Sequence, residues 1–178
     1  MNSLILVNGQ HAYLSDAEQD LIPVHENYPD ILLEREAVCA LSRIMEQLGG
    51  WTSIVPVSGW RSLEEQIELY EESLRENGPE FTKKFVALPG HSEHQTGLAI
   101  DLGLRQPEID FICPAFPYEG ICQKFRELAP AYGFIERYPK GKEHITGIAH
   151  EPWHFRYVDR PHSEIMAFQG LTLEEYLA

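Results

Sequence analysis

Histidines and carboxylates come together in two short stretches of this 178-residue sequence. The first stretch, HSEHQTGLAID, runs from His91 to Asp101, and the second, HEPWH, runs from His150 to His154. Catalytic zinc sites use imidazole nitrogens and carboxylate oxygens, with three protein ligands and one further position for water. A histidine on its own is more often structural or exposed. It is the pairing of the two stretches that favours a metal site.

Other common catalytic patterns are not expected here. His150, Glu151 and His154 have the spacing of the zinc-protease motif His-Glu-x-x-His, but that motif lies on a helix, and Pro152 inside it disfavours a helix. There is no Gly-rich phosphate loop and no Gly-x-Ser-x-Gly elbow, so nucleotide chemistry and serine hydrolase chemistry lose support. A different metal-peptidase scaffold is required.

The charge balance excludes two classes of partner. The chain has 14 Lys and Arg against 28 Asp and Glu, a net charge of -14. Proteins bind nucleic acids and anionic membrane surfaces through basic residues, so neither is an expected partner. The apolar run from Leu4 to Val7 is too short for a secretion signal or a membrane span, which predicts a cytoplasmic protein without a membrane anchor. Cys39, Cys113 and Cys122 form no Cys-x-x-Cys pair and are interpreted as reduced thiols.

Apolar periodicity and breaker residues predict a mixture of helices and strands without regular alternation. Helices are predicted over 34–48, from a capping box at Ser62 to Asn77-Gly78-Pro79, over 121–132 and from Leu173 onward. Strands are predicted over 4–7, 53–58, 97–104 and 153–158, and Pro56 places the second of these at a sheet edge or bulge. Residues 1–30 are otherwise expected to be irregular, and 79–93 to form a long loop. The pattern predicts one α+β domain over 1–178, with a small, mostly antiparallel sheet and flanking helices.

Three separate motifs resemble the signature of the D-Ala-D-Ala metallopeptidases. In chain order they are Ser58-Gly59-Trp60-Arg61-Ser62, then Ser92-x-His94-x-x-Gly97-x-Ala99-x-Asp101, then Glu151-x-Trp153-His154. The family includes the VanX dipeptidases, the VanY carboxypeptidases and the bifunctional VanXY enzymes. The likeness is greatest to the VanXY type. It implies the fold that these peptidases share with the Hedgehog signalling domain.

The resemblance implies a metal site and a catalytic base. The ligands of one Zn²⁺ per chain would be His94, Asp101 and His154, and Glu151 would be the base. Pro152 forces a turn between Glu151 and His154, which can put the carboxylate beside the metal without ligation. There it could accept a proton from water and pass it to the leaving amine, a role typically worth about 10²–10⁴-fold in rate.

The resemblance also implies four residues around the substrate. Arg61 would face the scissile carbonyl, where a guanidinium that cannot lose its proton stabilises an oxyanion. Ser92, Gln66 and Trp60 would bind the substrate. Trp60 stands where the family usually has Tyr, so the role of that hydroxyl is lost while a stacking surface remains.

The expected function is hydrolysis of the D-Ala-D-Ala dipeptide and removal of the C-terminal D-Ala of peptidoglycan precursor peptides, linked to vancomycin resistance. One alternative is a D,D-carboxypeptidase only, or another peptidoglycan peptidase of the same fold. A more remote alternative is a zinc-binding module without catalysis. Glu151 and Arg61 argue against that module, because a structural zinc site needs neither a base nor an oxyanion partner.

Overall fold

The computed structural model describes residues 2–14 and 18–178, and it has six strands in two antiparallel sheets. A hairpin of β1 and β2 stands apart from a four-stranded sheet with the order β3-β4-β6-β5. The strands are β1 Leu21–His25, β2 Tyr28–Glu34, β3 Ile54–Ser58, β4 Ala99–Leu104, β5 Phe134–Tyr138 and β6 Glu151–Tyr157. The predicted α+β class with a small antiparallel sheet is confirmed. The assignment of the whole chain to one domain stays a prediction.

In the described part of the chain, six helices and two 3₁₀ turns surround the sheets. The helices are α1 Arg35–Gln47, α2 Leu63–Phe85, α3 Gly120–Leu128, α4 Glu143–Thr146, α5 His162–Gln169 and α6 Leu173–Leu177. The 3₁₀ turns are Glu93–Thr96 and Ala129–Tyr132. The predicted capping box is present at the start of α2, where Ser62 and Glu65 each accept a hydrogen bond from the other's backbone N–H.

The four-stranded sheet has one apolar face and one polar face. Side chains alternate along a strand, so Ile100 and Leu102 enter the hydrophobic core with Phe155, while Asp101 and His154 take the opposite face. Asp101 and His154 are also direct cross-strand partners in the pairing of β4 with β6. Alternation and register together place two polar side chains next to each other on a buried surface.

Irregular pairing at both outer strands shapes the polar face. Between Pro56 and Ser58 the register of β3 against β4 shifts, and β3 has no other neighbour among the described residues. The predicted edge position of Pro56 is therefore confirmed. In the pairing of β5 with β6 a shift lies between Glu136 and Tyr138, since Glu136 faces Phe155 and Tyr138 faces Glu151. This bulge breaks the strict alternation of β6 before His154.

Several predicted elements were wrong or missed. Residues 4–7 form no strand, and β1, β2, β5, α4 and α5 were not foreseen. Pro23 and Pro29 were interpreted as breakers. Among the described residues, however, β1 and β2 have no strand partner except each other, so a proline there removes no hydrogen bond to a further strand. The irregular structure predicted for residues 1 and 15–17 lies outside the described residues.

The second predicted helix does not stop at Gly78. Its backbone is non-helical there, with φ 79° and ψ 170°, but the helix resumes and continues to Phe85. Proline is favoured in the first turn of a helix, so Pro79 starts a second segment directly after the break. A hydrogen bond of 2.7 Å between the Ser73 and Thr82 hydroxyls joins the two segments. The long loop predicted over 79–93 is therefore shorter than expected.

No helix among residues 2–14 and 18–178 combines the length and the apolar character needed to cross a membrane.

Candidate active site

The three predicted metal ligands come from three neighbouring elements. His94 lies in the 3₁₀ turn Glu93–Thr96, Asp101 in β4 and His154 in β6, and all three side chains are buried. One potential ligand atom from each lies within 4.8 Å of the others. Nε2 of His94 is 3.1 Å from Oδ2 of Asp101, and Nδ1 of His154 is 2.8 Å from Oδ1. The fold therefore brings together the two sequence stretches that carry these residues.

Hydrogen bonds on the outer side of each imidazole decide which nitrogen faces Asp101. Nδ1 of His94 donates to the carbonyl oxygen of Gly59 at 2.7 Å, and Nε2 of His154 donates to Oε2 of Glu93 at 3.3 Å. In the neutral rings the inner nitrogens then carry lone pairs. Acceptors from both rings and from the carboxylate face one another, an arrangement that needs a cation or a proton between them.

The spacing of these atoms suits a small divalent ion. A tetrahedral zinc ion with bonds of about 2.0–2.2 Å keeps its ligand atoms roughly 3.3 Å apart, and the two imidazole contacts to Asp101 measure 3.1 Å and 2.8 Å. Burial opposes ionisation of Asp101, but the two imidazoles hold its pKa below the usual range. Burial also opposes charge on His154, yet hydrogen bonds to Asp101 and Glu93 raise the pKa of that ring to about 10. Positive charge is therefore favoured at His154, whereas burial lowers the pKa of His94. Two imidazoles with one carboxylate form a typical zinc donor set.

Glu151 lies at the start of β6, on the same side as the three ligands. Its Oε2 is 3.8 Å from Nδ1 of His154, a distance the bulge in β6 makes possible. Burial raises the pKa of Glu151 well above its usual range, and the nearby charges of Asp101 and Glu93 act in the same direction. The carboxylate therefore holds a proton more readily than an exposed glutamate does, which suits a group that accepts and returns protons.

Arg61 is fixed beside the same site by two side chains. Its Nη1 donates to Oε1 of Gln66 at 2.7 Å, and its Nη2 donates to Oγ of Ser58 at 2.7 Å. Gln66 is itself held, since its Nε2 donates to the carbonyl oxygen of Ala87 at 2.8 Å. Burial lowers the pKa of Arg61, but a guanidinium stays protonated. A fixed positive charge thus lies next to the candidate metal ligands.

The three predicted substrate-binding residues do not all lie at the candidate site. Ser92 and Gln66 line the same cavity as Arg61 and Glu151. The Ser92 hydroxyl also accepts from the backbone N–H of His94 at 3.3 Å, so it caps the 3₁₀ turn. Trp60 is not among the residues that line this cavity in the described parts of the chain. Its Nε1 donates to Oε1 of Gln19 at 3.0 Å, so the structure does not bring Trp60 to the site.

Gly59 allows the chain to pass close to the β1–β2 hairpin beside the site. A Cβ atom at this position would lie 2.4 Å from the carbonyl oxygen of Leu32 and 3.1 Å from Cγ2 of Ile31. The next residue, Trp60, donates its backbone N–H to the same Leu32 oxygen at 2.7 Å. The residue that accepts the His94 hydrogen bond therefore has no space for a side chain.

Sequence reasoning missed Glu93 and two arginines behind the site. Oε1 of Glu93 accepts from Nε of Arg137 and from Nη1 of Arg156, both at 2.7 Å, and all three side chains are fully buried. The sequence did contain a signal for this cluster. An arginine lies within each of the apolar stretches FIERY and WHFRYV, and a buried guanidinium requires a buried acid as its partner.

Comparisons with known proteins indicate the family of this chain. A family model for VanY, D-alanyl-D-alanine carboxypeptidase, matches residues 30–160. The bifunctional D-Ala-D-Ala dipeptidase and D-Ala-D-Ala carboxypeptidase VanXYC of Enterococcus gallinarum is 46% identical over 180 residues, which cover 99% of this chain and 94% of the relative.

Two solved structures extend the comparison. The vancomycin resistance D,D-dipeptidase VanXYg, in complex with a D-Ala-D-Ala phosphinate analog, has a TM-score of 0.97 and 55% identity, covering 99% of this chain and 70% of that one. A glutamate-to-alanine mutant of the D,D-pentapeptidase VanY from a VanB-type resistance cassette, in complex with Zn(II), has a TM-score of 0.80 and 29% identity over 100% of both chains. The resemblance noted in the sequence is confirmed, and the chain belongs to the VanY D-alanyl-D-alanine carboxypeptidase family.

Proposed function

We propose that this chain is a zinc-dependent D,D-peptidase that hydrolyses the D-Ala-D-Ala dipeptide and removes the terminal D-Ala of peptidoglycan precursors. The main observation in support of this proposal is that His94, Asp101 and His154 converge on one point. Glu151 and Arg61 line the same cavity. A metal site without catalysis would not need a buried acid with a raised pKa or a fixed guanidinium.

The three ligands would hold one Zn²⁺ through Nε2 of His94, a carboxylate oxygen of Asp101 and Nδ1 of His154. A bound zinc ion supplies Lewis acidity, which polarises a carbonyl and lowers the pKa of water. Glu151 Oε2 accepts the proton that water loses as it adds to the peptide carbonyl carbon. The same oxygen then returns that proton to the amine nitrogen as the C–N bond breaks.

Arg61 stabilises the negative charge that develops on the carbonyl oxygen during this addition. Gln66 and Ser58 hold its guanidinium in one orientation, so little reorganisation is needed when the charge appears. The geometry supports a positioning role for Gln66 through Arg61. Ser92 remains a candidate substrate contact because its buried side chain lines the cavity.

The substrate class is supported by the relatives. Two of the similar proteins are a bifunctional dipeptidase and carboxypeptidase and a D,D-dipeptidase solved with a D-Ala-D-Ala analog. Clearing D-Ala-D-Ala termini from the precursor pool is the step that would link this chain to vancomycin resistance. Action in the cytoplasm on soluble precursors stays a prediction.

The test is hydrolysis of several substrates at equal concentration by one zinc-loaded preparation. The substrates are D-Ala-D-Ala, a pentapeptide precursor ending in D-Ala-D-Ala, the matching precursor ending in D-alanyl-D-lactate, and L-Ala-L-Ala. We expect the first two to be cut, with the D-lactate precursor cut much more slowly and L-Ala-L-Ala spared.

Each departure from this result identifies a different function. Cleavage of the pentapeptide alone would make the chain a D,D-carboxypeptidase only, and cleavage of the dipeptide alone a dedicated dipeptidase. Rapid hydrolysis of L-Ala-L-Ala would remove the D,D assignment. A folded, zinc-loaded protein that cuts none of the substrates would support the non-catalytic zinc-binding module.

Replacing Arg61 by lysine should weaken transition-state stabilisation without loss of the metal. Lysine keeps the charge, but it cannot form the two hydrogen bonds to Gln66 and Ser58 in the planar geometry of a guanidinium. We expect kcat/KM to fall by the equivalent of about 2–4 kcal/mol, the range for losing one oxyanion donor. Steady-state kinetics and zinc content measured on the same preparation check both parts.

The matched control is Arg105→Lys, because Arg105 also donates to fixed oxygens but lies on the surface, away from the cavity. We expect its kcat/KM to stay near wild type. An Arg61→Lys variant with kcat/KM equal to that of the control would remove Arg61 from the reaction.

A further inference from the structure

Behind His154 lies a cluster of charged residues, which we name the support cluster. It consists of the buried Glu93, Arg137 and Arg156 and the partly buried Glu174. Glu93 touches His154 directly, through the 3.3 Å contact between Oε2 and Nε2. Its other oxygen, Oε1, accepts one hydrogen bond from each arginine. The Glu93 carboxylate thus connects one candidate ligand to two cations.

Every guanidinium nitrogen of both arginines donates at least one hydrogen bond. Arg137 makes a bidentate pair with Glu174, with contacts of 2.9 Å and 2.7 Å. Arg156 donates to the backbone oxygens of Ser3, Ile5 and Tyr157 at 2.7–3.0 Å. Such satisfied, fully buried guanidinium groups have few alternative positions, so they fix the Glu93 carboxylate as well.

The contacts of Glu93 determine the donor in its hydrogen bond with His154. Oε1 of Glu93 accepts from both guanidinium groups, and Oε2 lies 3.3 Å from Nε2 of His154. A carboxylate that pairs with two arginines acts as a hydrogen-bond acceptor, so the His154 nitrogen that faces Glu93 carries the hydrogen. The other nitrogen, Nδ1, is then the one that faces Asp101 and Glu151.

We propose that Glu93 is a positioning residue, which the two arginines hold in place so that it presents Nδ1 of His154 to the metal. This inference rests on the proposed function only in so far as His154 is a metal ligand. Partners of this kind orient a ligating imidazole and raise its basicity, and losing them typically costs about 10–100-fold in metal affinity.

Glu93→Asp separates positioning from a purely structural role. Aspartate keeps the negative charge that the buried arginines require, but its carboxylate is shorter by one methylene, about 1.5 Å. It can pair with the arginines or reach His154, but not both. We expect a folded protein whose zinc affinity, measured by chelator competition, falls about 10-fold or more. In the zinc-loaded state, the NMR signal of the His154 Nε2–H should shift and exchange faster with water than in wild type.

Glu136→Asp is the matched control. Glu136 is a partly buried glutamate in β5 that pairs with Arg126 at 3.2 Å, and it contacts none of the three candidate ligands. The same truncation there should leave zinc affinity and the His154 signal unchanged. Glu93→Gln adds a second test. An uncharged amide would not balance the positive charge of the two buried arginines, so we expect a lower melting temperature.

Wild-type zinc affinity together with an unchanged His154 signal in Glu93→Asp would overturn the positioning role. Failure of the proposed function looks different. If the wild-type chain bound no zinc, the ligand set itself would be wrong, whereas zinc binding without peptidase activity would leave the role of Glu93 testable by affinity and NMR alone.

Discussion

Replacing Glu151 by glutamine is expected to lower kcat by about 10²-fold or more while zinc content stays at the wild-type level. Glutamine fills the same buried space, but its amide cannot take a proton from water or return one to the amine. Because the carboxylate is 3.8 Å from His154 and is assigned no bond to the metal, its loss should leave the metal in place. Steady-state kinetics and metal analysis of one preparation give both quantities.

Glu136→Gln is the appropriate control for this prediction. It makes the same change from acid to amide in the neighbouring strand, at a residue that does not line the cavity. Its kcat should stay close to wild type. If Glu151→Gln lost its zinc, Glu151 would be a ligand, and if it kept wild-type kcat, the general base would have to be another group.

Removal of a candidate ligand should have the other large effect. In His154→Ala we expect zinc affinity to fall by more than the roughly 10–100-fold typical of an outer partner. Peptidase activity should drop to the level of wild-type protein treated with a chelator. The physical reason is that two ligands remain where a catalytic zinc site uses three. Chelator competition and activity measurements at fixed free zinc check the prediction.

His91→Ala provides a control with the same chemical change close to the site in sequence. His91 contacts the backbone oxygen of Asn8 at 2.8 Å and does not line the cavity. Its zinc affinity should equal that of wild type. A His154→Ala variant that still bound one full equivalent of zinc at wild-type affinity would exclude His154 as a ligand.

The features predicted correctly from the sequence are those that depend on residues close together in the chain. The capping box at Ser62 and the apolar spacing of α1 act within a few residues, so both helix starts were found within one residue. Gly78-Pro79 was also a local signal, but an ambiguous one. The same pair that ends one helical segment can begin another, and the contact between Ser73 and Thr82 that joins the segments was not visible in the pattern.

Residues that depend on distant partners were predicted less well. The contact of Glu93 with Arg156 spans 63 positions, and that with Arg137 spans 44. Charged side chains in β5 also obscured its apolar alternation, so the strand was missed. Trp60 was expected at the substrate, yet its direction is set by Gln19, 41 positions away. The family resemblance predicted the inner residues of the candidate site, whereas the residues that support them could be recognised only in the folded chain.

Gly59 bears on how a saturation mutagenesis screen of this protein should be interpreted. Any side chain at this position would collide with Leu32 of the hairpin and displace the carbonyl that holds His94. Substitutions at position 59 would therefore score as severely as substitutions of a ligand, although glycine takes no part in the chemistry. A screen that ranked residues by lost activity alone would count Gly59 as catalytic, and only a parallel measurement of folded protein would distinguish it from Glu151.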